Sequence, residues 1–161
     1  MLKTISGLSA LSLALIATSL PASAEARVRG HVVRATGPNG GQAVQWRGVQ
    51  RQPGETEVRS GLQTSNGRGY RASRETNYGP GHVDSTRSVQ TNSGHGYTTD
   101  REANWGDGQY AGSKETTLNN GKSFGRETTA TANGNGSADY STTFTDPEGN
   151  SKTVTGTVTR H

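Results

Sequence analysis

The chain has 161 residues, no cysteine, 23 glycines, and 17 Lys plus Arg against 13 Asp plus Glu. Beyond residue 24 it holds only 2 Leu, 10 Val, 2 Phe and no Ile, about one residue in ten, where globular chains keep well above one in five. A thick hydrophobic core is excluded, and so are a disulfide framework, a thiol nucleophile and a thiolate metal site.

Residues 1–24 read MLKTISGLSALSLALIATSLPASA, with one charge at Lys3, an apolar run from Leu8 to Leu20 and the small-residue pattern Ala22-Ser23-Ala24. That order is expected of a secretory signal peptide. Cleavage would leave Glu25 as the mature N-terminus of an exported protein, periplasmic or extracellular, with no transmembrane segment after it.

Residues 25–60 form a basic N-terminal segment. Arg27 to Arg34 and Val44 to Val49 are expected to be short strands flanking the loop Gly37-Pro38-Asn39-Gly40-Gly41. From residue 25 to 74, nine arginines stand against three glutamates. Arg27, Arg29, Arg34, Arg47, Arg51, Arg59, Arg68, Arg71 and Arg74 are therefore the candidate contacts for an acidic polymer.

Residues 61–161 are rich in Gly, Thr and Asn and contain a repeat. QTSNGRGYRASRETNYGPG at 63–81 returns as QTNSGHGYTTDREANWGDG at 90–108, with ten of nineteen positions identical and Tyr78 replaced by Trp105. The third copy is looser: Phe124 keeps the 27-residue period, but Arg126-Glu127 arrives two residues early against Arg101-Glu102. Glycine turns are expected at Asn66-Gly67, Tyr78-Gly79, Ser93-Gly94, Trp105-Gly106, Asn120-Gly121, Asn133-Gly134 and Glu148-Gly149. The segments between them have strand length and are too short for stable helices. Thr153 to Thr159 alternates strictly between Thr and Val or Gly, the period of a half-exposed strand.

The fold class expected is all-β, an antiparallel meander of hairpins with a thin core. Alternatives are a β-solenoid with one coil per repeat and a largely disordered low-complexity chain. A solenoid would stack Glu75 on Glu102 and Arg74 on Arg101. A meander separates the copies by a strand carrying Asp84 and Arg87, expected there as opposite charges. The repeated Arg-Glu steps read as cross-strand ion pairs. Tyr70, Tyr97 and Phe124, with Tyr78 and Trp105, are expected to form structural aromatic rows in place of a core.

No catalytic residue, metal site or cofactor is expected. His31, His82, His95 and His161 lack the close spacing of a zinc motif, and the Gly-Xaa-Gly turns have neither the preceding apolar strand nor the following helix of a nucleotide loop. Gln63…Gly67-Arg68-Gly69 and Gln90…Gly94-His95-Gly96 resemble the Gln and Gly-Xaa-Gly pattern of curli-type amyloid subunits over about two repeats. Here the Gln lies farther from the glycines and the repeat is longer, so the resemblance assigns no family. The function expected is that of a non-enzymatic structural or interaction protein of the cell envelope or extracellular matrix, self-associating through β-edges. The alternative is a binding module for lipopolysaccharide, polysaccharide or extracellular DNA.

Overall fold

A computed structural model describes residues 26–159, and the expected leader at 1–24 lies outside them, as does His161. Ten strands follow one another: β1 (Arg27–Thr36), β2 (Gln42–Gln52), β3 (Glu55–Thr64), β4 (Gly69–Gly79), β5 (His82–Thr91), β6 (Gly96–Gly106), β7 (Gln109–Leu118), β8 (Ser123–Ala132), β9 (Ser137–Thr145) and β10 (Ser151–Thr159). Each pairs antiparallel with the next in a single open sheet, in the order β1 to β10. The fold is the expected meander. Thr, Val and aromatic residues favour the pleated surface, and glycine at both ends of each short segment leaves no room for a helix.

The 27-residue period is two strands plus two turns. At one end of the sheet five hairpins close with the same pair of backbone bonds. Thr64 N–H donates to Arg68 C=O at 2.8 Å and Gly67 N–H to Thr64 C=O at 3.1 Å; Thr91 with His95, and Gly94 with Thr91, repeat them at 2.7 and 3.1 Å. Gly40, Gly67, Gly94, Gly121 and Gly149 hold the left-handed position in these turns, which a Cβ disfavours. At the other end the tight turns are Pro53-Gly54, Pro80-Gly81 and Asp107-Gly108, with Gly54, Gly81 and Gly108 also at positive φ. Two of these turns fall two residues later than the sequence suggested. Gly79 and Gly106 finish their strands, and Pro80 takes the turn's first central position because its ring presets that φ. The meander also runs back through the N-terminal segment: residue 60 lies inside β3, and Gly40 and Gly54 precede Gly67 and Gly81 by one period.

Asparagine and glutamine tie successive turns together. Asn92 Nδ2 donates to Gln63 Oε1 at 3.1 Å and to Gly67 C=O at 2.9 Å. Asn119 Nδ2 does the same to Gln90 Oε1 at 2.7 Å and Gly94 C=O at 2.9 Å. These side chains recur every 27 residues because each one locks a turn to the next.

Among the described residues no hydrophobic side chain is fully buried. Aromatic rings lie flat on glycines instead. A Cβ at Gly61 would stand 2.7 Å from the Trp46 ring, its cross-strand partner, and one at Gly156 would stand 2.8 Å from the Tyr140 hydroxyl. Glycine thus gives a ring something to cover where the sheet has no second layer, a device that also pins register.

If the turn glycines hold the register, Gly94→Ala should lower stability by about 1 kcal/mol, the strain of a Cβ in the left-handed region. Gly48→Ala, in β2 with open space around it and no positive φ, should be neutral or mildly stabilising. Thermal melts of the two variants make the comparison, and equal shifts would contradict it.

Candidate functional surface: a transverse cationic stripe

Alternation sends neighbouring residues to opposite faces, and the cross-strand register then decides which side chains share a row. On the face that carries Tyr97, one row across the sheet reads Arg27, Arg51, Thr56, Thr76, Ser85, Arg101, Lys114, Arg126, Phe144, Lys152. The next row on that face, about 7 Å away along the strands, holds Arg29, Val49, Val58, Arg74, Arg87, Thr99, Thr116 and Phe124. The two rows make a cationic stripe perpendicular to the strands, roughly 40 Å long at about 4.8 Å per strand. Among the described residues no strand places an Asp or Glu on this face.

Acids occupy the reverse. Glu57, Glu75, Asp100 and Glu115 share one row there, and Glu55, Asp84, Glu102 and Glu127 the next. They lie behind the stripe, across the plane of the backbone. The Arg-Glu steps therefore do not form cross-strand ion pairs: Arg74 opposes Arg87, Arg101 opposes Lys114, and Asp84 opposes Glu102. Adjacent residues of an extended strand point oppositely, so each Arg-Glu step sends its cation to one face and its carboxylate to the other. β5 does separate the copies, but it adds like charge on both faces.

The stripe has a polar floor. Ser85, Thr99 and Thr116 are its most covered side chains, 6–7 % exposed. Thr99 and Thr116 hydroxyls bond at 2.9 Å, and Ser85 Oγ accepts from Arg74 Nε and from Thr76 Oγ1, both at 3.1 Å. The Arg87 guanidinium sits 5.9 Å from the centre of the Tyr97 ring, within cation–π range. An open groove of about 360 Å³ runs here between Arg74, Arg87, Arg101 and Lys114, with Tyr97 and Phe124 on its walls. Among the described residues the ion pairs are Arg59–Glu57, His82–Asp84 and Lys122–Glu148. None of them engages the stripe.

Of the arginines singled out in the sequence, Arg27, Arg29, Arg47, Arg51 and Arg74 lie on the cationic face. Arg34, Arg59 and Arg71 lie on the acidic face and Arg68 lies in a turn. Composition missed Arg87, Arg101, Lys114, Arg126 and Lys152, because the overall charge of the second half is negative. Aligning the strands on their turn glycines would have exposed them.

Tyr70, Tyr78, Tyr97, Trp105 and Phe124 all reach the cationic face; Phe124 lies within the stripe's second row and the other four flank the stripe. None is the cross-strand partner of another: Tyr97 stands between Val89 and Leu118, Tyr70 between Leu62 and Thr91, and Phe124 opposite Thr116. Trp105 pairs instead with Tyr110. Neither a family model, nor a curated protein, nor a solved structure matches the chain. Among the described residues no helix is long and apolar enough to cross a membrane.

Two predictions rest on these contacts. Tyr97→Ala removes a ring with apolar partners on both sides and a guanidinium above it. It should cost about 1–2 kcal/mol, more than Tyr70→Ala or Phe124→Ala, which have fewer such partners; thermal melts showing equal losses would refute that order.

On the acidic face, His82 contacts Asn104 Oδ1 at 2.7 Å and Asp84 Oδ1 at 3.0 Å, while Asn77 Nδ2 donates to Asp84 Oδ2 at 3.0 Å. The bond to Asn104, followed by that to Asp84, raises the imidazole above 6.5; the bond from Asn77, followed by that from His82, lowers Asp84 below 3.8. The histidine's contribution is complete below 6.5 and disappears as pH rises through its raised value. The carboxylate's is complete above 3.8 and disappears as pH falls through its lowered one. Both are present together in mildly acidic solution. The melting-point advantage of the native chain over His82→Gln should therefore shrink as pH rises above 6.5, and a constant difference would exclude the linkage.

Proposed function

We propose that the chain is an exported, non-enzymatic structural protein of the cell envelope or extracellular matrix that joins copies of itself through the outer edge of β10. The contrast between the two sheet edges carries this reading. β1 holds Arg27, Arg29 and Arg34, and inward or edge cations are a standard protection against strand addition. β10 has no charge or proline from Thr153 to Thr159, and among the described residues no strand lies beside its outer backbone groups.

Two β10 strands related by a twofold axis through Gly156 run antiparallel. That register sets Val154 against Val158 and Thr155 against Thr157, pairs suited to a pleated surface. Such a dimer keeps both cationic faces on one side.

Sedimentation velocity on the chain beginning at Glu25 tests the reading. The native chain should dimerise with rising concentration, and Thr155→Pro or Val154→Lys should abolish this while Val33→Lys in β1 does not. A native chain that stays monomeric, or β10 variants that still dimerise, would overturn it.

A further inference from the structure

We propose that the transverse stripe binds one extended chain of an acidic polysaccharide, laid across the strands. This inference does not depend on edge association, since the stripe lies within a single copy.

The first argument is energetic. Cross-strand neighbours of like charge are destabilising, yet Arg74–Arg87, Arg101–Lys114 and Lys114–Arg126 are each direct partners. Acids that would relieve them are in the chain, one residue along the strand from Arg74, Arg101, Lys114 and Arg126 and three from Arg87, and all point to the other face. A sheet arranged only for its own stability would mix the signs on each face. An arrangement that leaves every stripe cation without a carboxylate among the described residues is relieved by an anion from outside.

The second argument is shape. The stripe is two rows wide and runs the breadth of the sheet, so it fits a linear polymer better than a compact ligand. Bulky rings rise on either side: Tyr70 and Tyr97 toward one end of the strands, Tyr78, Trp105 and Tyr110 toward the other. Arg101, Lys114 and Arg126 come from consecutive strands in one row, about 4.8 Å apart. That is close to the length of one pyranose along an extended polysaccharide, and shorter than the step between phosphates in a stretched nucleic-acid strand.

The third is chemistry. Arg74 is held at Nε by Ser85 and Arg87 lies over Tyr97, so both guanidiniums, which line the groove, are positioned in advance. Planar forks of this kind match carboxylates and sulfates in two-point contacts. The flanking rings offer apolar faces to the C–H surface of a sugar, and the groove floor offers hydroxyls.

The experiment uses the chain beginning at Glu25 and polygalacturonate as the probe, with dextran, single-stranded DNA and buffer alone as comparison arms, read by calorimetry at 50 and 200 mM salt. Polygalacturonate should bind, weaken steeply with salt as counterion release requires, and be ignored by a tenfold excess of dextran. The double variant Arg101→Gln/Lys114→Gln should lose roughly tenfold in affinity and show a shallower salt slope. Arg34→Gln/Arg71→Gln removes the same charge from the opposite face and should bind like the native chain. Circular dichroism confirms that both variants keep the sheet, and the charge-preserving Arg101→Lys keeps most of the affinity. Equal losses in the two double variants would mean that net charge alone governs binding and would overturn the proposal. So would tighter binding of single-stranded DNA than of polygalacturonate. Absence of polymer binding at 50 mM salt, with self-association lost in Arg101→Gln/Lys114→Gln, would assign the stripe to a second copy and equally overturn it. A monomeric β10 variant that still binds polygalacturonate separates this result from the fate of the edge.

Discussion

The register of the antiparallel ladder is the constraint on which everything else in this protein rests. A sheet with a buried face has its register enforced by the core, since a one-residue slip turns the whole apolar set outward. Here no hydrophobic residue is buried among those described, so the turns must do that work. They do it by repetition: the same two backbone bonds close each hairpin at one end, a glycine holds the left-handed position each time, and Asn92 and Asn119 tie each turn to its predecessor. Rings lying on Gly61 and Gly156 add a second lock from the strand interiors.

With register fixed, the Arg-Glu step acquires a meaning it lacks in one dimension. Within a strand it separates charge by face; across strands the ladder gathers each sign into rows. The cost is like-charge opposition on both faces, of order a few tenths to 1 kcal/mol per pair before screening. The third repeat copy shows how tightly the arrangement is kept. Its two-residue deletion moves Phe124 into the row of Arg74 and Arg87, yet Arg126 still lands beside Lys114 and in line with Arg101. An even deletion preserves facing, and the register of the preceding hairpin absorbs the remainder.

The edges follow a different logic. An even number of strands leaves β1 and β10 antiparallel to each other, and the two edges carry different side chains. Charge protects β1, while β10 alternates Thr with Val and Gly without a charge between Thr153 and Thr159. A coreless sheet gains more than most from another strand, because each addition satisfies a row of backbone groups and covers one more half-exposed neighbour.

The sequence by itself determined the strands, their alternation, the 27-residue period and the absence of a core. These are local properties: glycine at a positive φ, β-branched residues on a pleat, too few Leu and Ile for a second layer. It also settled which neighbours within a strand face opposite ways. What only the tertiary structure decided is which residues of different strands share a row, because that depends on turn length. Reading the turns at Tyr78-Gly79 and Trp105-Gly106 instead of Pro80-Gly81 and Asp107-Gly108 shifts every partner across them, and with the shift the pairing of Arg74 with Arg87 and of Arg101 with Lys114 disappears. Charge counted along the chain pointed to the N-terminal arginines. Charge sorted by the ladder extends across the whole sheet, since pairing adds together residues that sequence distance keeps apart.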